Sequence, residues 1–105
     1  MPRTAYAVRA TLPNESLRDE YARWLTTEGH VAQVIAGGAS TGDVVIFDRE
    51  KSEPICVEVR YTFPSREVFE TYVREHAPAL RQDGIDRFGD RGIMFERNIG
   101  SVAED

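Results

Sequence analysis

One alternating segment, Ile55–Phe63, most constrains how this chain can fold. Apolar side chains fill every second position of it, which is typical of a strand that buries one face. Pro64 and Ser65 follow at once, and Ser65 is a preferred N-cap residue, so a helix is predicted to begin there. Another strand is predicted over residues 40–48, and the short polar turn between the two strands indicates an antiparallel hairpin.

Two further strands are predicted near the ends of the chain, over Thr4–Leu12 and residues 93–99. An apolar stripe with helical spacing lies between the first strand and the hairpin. Asn14 or Ser16 is expected to cap the start of this helix, and Gly29 is expected to be its C-cap.

The second helical region is predicted to stop and restart at Ala77 and Pro78. A residue before proline disfavours helix, whereas proline suits a first helical position. The element order is then β-α-β-β-α-β, the ferredoxin-like arrangement of a four-stranded antiparallel sheet with its helices on one face. We expect one α+β domain over residues 1–100 and a flexible acidic tail over residues 101–105.

Composition argues against several classes of protein. The chain has 105 residues, a net charge of −5 and one cysteine. An acidic chain without a basic stripe is not expected to bind nucleic acid, and no stretch reaches the ~20 apolar residues of a membrane span. The single cysteine excludes an internal disulfide, and the first residues lack the features of a secretion signal. A cytoplasmic location without membrane association is therefore expected.

The sheet face away from the helices is predicted to mix charged and small side chains. It includes Arg9, Cys56, Glu58, Arg60 and Met94. Such a face can be solvated, as is common in antiparallel sheets, or two copies can pack these faces together around a shared polar cavity. Alternation of residue types does not separate the two arrangements, so both stay open.

Several spaced residues resemble a family of short bacterial proteins that have the dimeric α/β-barrel fold and no assigned activity. The matching residues are Trp24, His30, Val31, residues 61–65, Tyr72, residues 76–81, Gly84, Arg87, Phe88 and residues 95–97. The resemblance implies a ferredoxin-like fold and a homodimer. The wider superfamily includes quinone-forming monooxygenases and haem-degrading proteins, so an enzymatic activity is implied by analogy of fold alone.

His30 is the best candidate for a catalytic residue. It follows the first predicted helix beside a glycine-rich connector, and histidine titrates near neutral pH, so it can act as a general base or orient a ligand. Its alternative role is to hydrogen-bond the last carbonyl groups of that helix. Tyr61 is expected to pack in the core with its hydroxyl directed outwards, from where it can reach a ligand.

Arg9, Glu58 and Arg60 are the remaining candidate ligand-binding residues. With Glu96 they fall on one predicted sheet face, where guanidinium groups can bind a small carboxylate or phosphate. The alternative is a set of surface ion pairs worth ~0–1 kcal/mol each. The sequence has no zinc-type spacing of His and Cys and no nucleotide-binding glycine motif, so neither a metal nor a cofactor is predicted.

The leading functional hypothesis is a homodimer that binds a small molecule or a partner in its barrel or cleft. The alternative is a metal-free monooxygenase- or isomerase-like enzyme that acts on an aromatic or quinone-like compound. In that alternative His30 acts with Arg60 or Tyr61 in an otherwise apolar cleft. A third hypothesis, a structural interaction protein, predicts a filled sheet face without a cavity.

Overall fold

A computed structural model describes residues 2–103 of the chain. Its strands are β1 (Thr4–Leu12), β2 (Thr41–Ile46), β3 (Ile55–Phe63) and β4 (Met94–Ser101). Its helices are α1 (Glu15–Leu25), α2 (His30–Ala36), α3 (Arg66–Glu75) and α4 (Ala77–Phe88). The predicted ferredoxin-like fold is confirmed, and each predicted helical region consists of two consecutive helices. None of the helices within residues 2–103 is long and apolar enough to cross a membrane.

The four strands form one antiparallel sheet in the order β2-β3-β1-β4. The two central strands pair along their whole length, with Val8 opposite Val59 and Arg9 opposite Glu58. Because neighbouring side chains in a strand point to opposite faces, this register separates a row that faces the helices from a row that faces away from them. The hairpin predicted between β2 and β3 is confirmed.

The core lies between the helices and the row of β3 that was predicted to be apolar. Val57, Val59, Tyr61 and Phe63 of that row are each at most 3% exposed. They pack against buried side chains of the helices, namely Leu17, Tyr21 and Leu25 of α1, Val34 of α2, and Phe69 and Tyr72 of α3. Burial of a large apolar side chain stabilises a fold by about 1.5–3 kcal/mol, so this row holds the two layers together.

Capping residues explain where two of the helices begin. The Asn14 side chain accepts a hydrogen bond from the backbone N–H of Leu17 at 2.8 Å, so Asn14 rather than Ser16 caps α1. The Ser65 hydroxyl oxygen accepts a hydrogen bond from the backbone N–H of Val68 at 3.2 Å, which confirms the predicted start of α3.

The prediction that Gly29 is the C-cap of α1 is wrong. The helix ends earlier, at Leu25, and Thr26 is its C-cap, with both its backbone N–H and its hydroxyl bonded to the carbonyl oxygen of Ala22. Gly29 has a φ of 92° and immediately precedes α2. A left-handed backbone favours glycine, and the chain uses that conformation to turn from α1 into α2.

The predicted boundaries of the last elements are nearly those of the structure. α3 ends at Glu75 and α4 begins at Ala77, which confirms the predicted helix restart. β4 ends at Ser101, and the backbone N–H of Val102 donates to the carbonyl oxygen of Arg3 at 2.9 Å. The tail predicted from residue 101 thus begins inside β4, while residues 104–105 lie outside the described residues.

Helix α4 is held at its ends and stands away from the sheet along its middle. Its buried side chains are Ala77 near the start and Phe88 at the end. On either side of Phe88, Arg87 and Arg91 tie the chain to α1 and to the turn that follows it through a cluster of ion pairs. The shortest contacts are Arg87 Nη1 to Glu28 Oε1 and Arg91 Nη1 to Glu20 Oε2, both 2.7 Å. This arrangement leaves a space between the middle of α4 and the sheet.

Candidate functional site

The space beneath α4 is a cavity of about 400 Å³. Strands β1, β3 and β4 form its floor, and helices α1 and α4 contribute most of its walls. Seven aromatic residues contribute to the lining: Tyr6, Tyr21, Trp24, Tyr61, Tyr72, Phe88 and Phe95. Cavities of roughly 300–1,000 Å³ with mostly apolar and aromatic walls are typical of small-molecule sites.

Four of these aromatic residues are tyrosines whose hydroxyl groups are free to bind a ligand. Within residues 2–103, no hydrogen bond joins the hydroxyl of Tyr6, Tyr21, Tyr61 or Tyr72 to the protein. Burial raises the pKa of Tyr72 to about 12, and it raises the pKa of Tyr21 and Tyr61 as well. These three phenols are therefore neutral at physiological pH and can each donate one hydrogen bond.

His30 lines the same cavity. It is the first residue of α2, and its imidazole stacks on the indole of Trp24 with the ring centroids 4.1 Å apart and the planes inclined by 20°. Its Nδ1 atom is buried and has no hydrogen-bond partner among the described residues. Burial lowers the pKa of His30 to about 4, against a smaller opposing effect of the Asp83 carboxylate. The imidazole is therefore neutral at pH 7.

Two of the five predicted site residues meet at this cavity. Tyr61 lies on the helix-facing row of β3, as expected, and its ring stacks against Tyr6 with centroids 6.0 Å apart. His30 enters from the other layer, at the start of α2. The alternative role of His30 is not observed, since no hydrogen bond joins it to α1 within the described part of the chain.

The other three, Arg9, Glu58 and Arg60, lie together on the opposite face of the sheet. The Nε atom of Arg9 donates to Glu58 Oε1 at 3.0 Å, and the Nε atom of Arg60 donates to Glu58 Oε2. Burial acts to raise the pKa of Glu58, but the two hydrogen bonds and the charges of both arginines outweigh it, so the net shift is downward. The arginines are thus engaged by an internal carboxylate, and ligand binding by this trio stays a prediction.

Two residues at the rim of the cavity, Arg81 and Arg97, were not predicted as site residues. Arg81 lies on the cavity side of α4, and Arg97 lies on β4 opposite Val8, in the row that faces the helices. The signal was present in the sequence: residue 97 shares its strand face with Phe95 and Ile99, and a charge in an apolar row indicates either strain or a site.

Metal-binding geometry is absent from the part of the chain that the structure describes. No group of three or more His, Cys, Asp or Glu residues there is placed to hold a metal ion. The chemistry available at the cavity is that of neutral phenols, one neutral imidazole, two guanidinium groups and aromatic faces.

This geometry defines the class of the protein as a ferredoxin-like α+β domain with an aromatic cavity of ligand size. The chain belongs to the family described as Domain of unknown function (DUF4286), whose model matches residues 4–102. Among curated proteins, none matches the sequence significantly.

Solved structures share the fold over the whole chain. A dimeric ferredoxin-like protein from an uncultured marine organism has a TM-score of 0.75 at 10% identity, covering 97% of this chain and 96% of that one. A second protein so described, also from an uncultured marine organism, has a TM-score of 0.69 at 16% identity, with coverage of 100% and 99%. SnoaB, a cofactor-independent oxygenase from Streptomyces nogalater, has a TM-score of 0.64 at 9% identity, with coverage of 100% and 97%. Identities this low show a common fold.

The buried neutral state of His30 predicts a pH dependence of stability. Because its pKa is about 4 in the folded chain and about 6.5 when unfolded, the unfolded chain takes up a proton that the folded chain does not. The stability is therefore complete above pH 6.5 and falls as the pH drops from 6.5 towards 4. Between pH 7 and 5, urea denaturation should show a loss of about 2 kcal/mol in the free energy of unfolding.

The His30→Phe variant keeps a flat ring against Trp24 and removes the titrating group, so it should lose most of this pH dependence. His76→Gln changes the other histidine of the chain, which does not line the cavity, and should behave as the wild type does. An undiminished loss of stability in His30→Phe would contradict the assignment. Measurements stay above pH 5, since Glu20 and Glu58, whose pKa values are lowered by arginines, add losses below that range.

Proposed function

We propose that this chain binds a planar aromatic small molecule in the cavity between its sheet and its helices. One observation carries the proposal: the cavity of about 400 Å³ is walled by aromatic rings and holds tyrosine hydroxyls without protein partners. Within residues 2–103 none of these hydroxyls is a fully buried unpaired atom, so they are accessible and can donate hydrogen bonds to a ligand that accepts them. A filled core, as a purely structural protein would have, does not fit these features.

The walls explain how such a ligand would be held. Offset stacking on rings such as Trp24 and Tyr61 favours a flat aromatic system. The phenols of Tyr61 and Tyr72 are neutral donors, and carbonyl oxygens on the ligand are suitable acceptors for them. A quinone-like compound combines both properties, and it is the class of substrate considered in the alternative, enzymatic hypothesis.

Binding can be followed with the fluorescence of Trp24, the single tryptophan of the chain, which lines the cavity. The neutral probe anthraquinone-2-carboxamide should quench this fluorescence saturably. Gly84 also lines the cavity, and a Cβ atom added there would meet Trp24 Cη2 at 3.4 Å, an ordinary contact distance. Gly84→Ala should therefore bind the probe as the wild type does, whereas Gly84→Leu fills the space and should bind at least about tenfold more weakly. Absence of saturable quenching in wild type, or equal binding by Gly84→Leu, would overturn the proposal.

We further propose that two copies of the chain form a dimer through the uncovered face of the sheet. All four helices pack on the other face, and the uncovered face carries small side chains such as Ala5, Ala7 and Thr62 around the Glu58 ion pairs. Each copy would present the same surface, as two-fold symmetry requires. The descriptions of two structural neighbours as dimeric support this assembly. The cytoplasmic location stays a prediction from the sequence.

Light scattering at micromolar concentration should give the mass of two 11.9 kDa chains. Ala7→Glu places a charge at the middle of the uncovered face and should yield single chains, because an unpaired carboxylate is costly to bury. Ala32→Glu makes the same change at an exposed position of α2 and should remain dimeric. A monomeric wild type would exclude the dimer, and a dimeric Ala7→Glu would exclude this face as the interface.

The second candidate function is a metal-free monooxygenase, and His30 is the observation that favours it. Its imidazole lines the cavity, where it can act as a general base towards an acidic proton of a bound aromatic compound. The fold shared with SnoaB, described as a cofactor-independent oxygenase, supports this reading. Arg60, considered as a second polar group, lies on the other face of the sheet, whereas Tyr61 lines the cavity.

Anthrone is a suitable test substrate, because loss of a ring-methylene proton gives an anion that O₂ oxidises. The balanced reaction is anthrone plus O₂ to anthraquinone plus water. A general base contributes roughly 10²–10⁴-fold, so His30→Phe should lose about that much of the rate above the uncatalysed oxidation, measured as anthraquinone formation. His76→Gln should keep the wild-type rate. Equal rates for wild type and His30→Phe would remove His30 from catalysis and leave the binding proposal standing.

A further inference from the structure

The charge of the cavity wall is opposite to that of the chain. The protein has 18 acidic and 13 basic residues and a net charge of −5. The residues that line the cavity nevertheless include two arginines, Arg81 and Arg97, and no aspartate or glutamate. A cationic wall on an anionic protein raises the local concentration of anions at that site.

These two arginines, unlike most of the others, have no acidic partner among the described residues. Eight other arginines lie within 4.0 Å of a carboxylate oxygen. Among the described residues, no carboxylate lies within that distance of Arg81 or Arg97, although Arg97 rests over the ring of Phe95 at 5.5 Å. Their guanidinium groups therefore retain their full set of donors for an external partner.

The two arginines lie on separate elements, and the charges of both act on Tyr72 in the cavity lining. Arg81 belongs to α4 and Arg97 to β4, and both line the cavity. Burial is the main reason that the pKa of Tyr72 is raised, and the charges of Arg81 and Arg97 both act in the opposite direction on that phenol. Their electric fields thus overlap inside the cavity.

The acidic residues that act on the cavity lining or near the end of α4 have other partners. Asp83 of α4 acts on His30. Glu20 and Glu28, near the end of α4, are engaged by Arg87 and Arg91. The positive charge of Arg81 and Arg97 is therefore left without an internal counterion within residues 2–103.

We propose that the ligand is an aromatic carboxylate, whose ring system lies among the aromatic walls and whose carboxylate is bound by Arg81 and Arg97. A guanidinium group matches a carboxylate in both charge and geometry and can bind it through two parallel hydrogen bonds. This assignment of ligand class rests on the proposed function, since it needs the cavity to hold an aromatic compound.

The proposed preference for a carboxylate can be tested with two matched probes, anthraquinone-2-carboxylate and anthraquinone-2-carboxamide. Binding of each is measured by the quenching of Trp24 fluorescence. Wild type should bind the carboxylate at least roughly tenfold more tightly than the carboxamide, as expected for one hydrogen bond to a charged group. Arg81→Met and Arg97→Met should each remove most of that preference, because they weaken binding of the carboxylate much more than binding of the carboxamide. The control, Arg74→Met, alters an exposed arginine of α3 that does not line the cavity and should keep the preference.

The outcomes separate the two proposals. Equal affinity for both probes in wild type overturns the anionic ligand and leaves aromatic binding intact. A preference for the carboxylate that survives in the Arg81→Met/Arg97→Met double variant overturns the role of these residues. If neither probe binds, both proposals fail. Carboxamide binding by each variant serves as the check that the cavity has kept its structure.

Discussion

Strands β1 and β3 pair in a register that sets Val8 opposite Val59 and Arg9 opposite Glu58. The core, the cavity floor and the Glu58 ion pairs all depend on this register. It directs Val8, Val59 and Tyr61 towards the helices and the ion-paired trio away from them. A shift of one residue would exchange the two rows and place Glu58 in the apolar layer. The buried row and the charged row therefore enforce the same register, one by apolar burial and the other by the two hydrogen bonds that Glu58 accepts.

Once the two rows are fixed, the cavity results from how the helices cover the inner face. Phe63, Phe69 and Tyr72 fill the region beneath α3 with rings in mutual contact. Beneath α4 the wall position facing Trp24 is Gly84, which has no side chain to fill the space. Protein interiors are normally close-packed, and unfilled volume costs stability. A cavity of this size in a small domain, with free hydroxyl groups around it, is more typical of a binding site than of an imperfectly packed core.

The fold could be predicted from the sequence because its signals are local. Alternation in β1 and β3, the cap at Ser65 and the proline after Ala77 each depend on a few neighbouring residues. The cavity depends on contacts between distant segments: His30 meets Trp24 only because the turn at Gly29 folds α2 back towards α1. Alternation in β3 placed Tyr61 and Arg60 on opposite faces of the sheet, as the structure has them. It could not show which face carries the cavity, because the cavity is formed by residues far apart in the sequence.

The two proposed roles of the chain belong to opposite faces of the sheet: ligand binding to the helix side, and dimer formation to the uncovered side. On the uncovered face, Glu58 is only 8% exposed, and both its oxygens are bound by arginines of the same chain. The ligand-sized space lies on the helix side, and residues of one chain suffice to form it. A dimer through the uncovered face would then shield small side chains and the Glu58 ion pairs from water without contributing to either site. Each copy would carry a complete cavity, lined by Arg81 of α4 and Arg97 of β4, on the side of the sheet opposite to the interface.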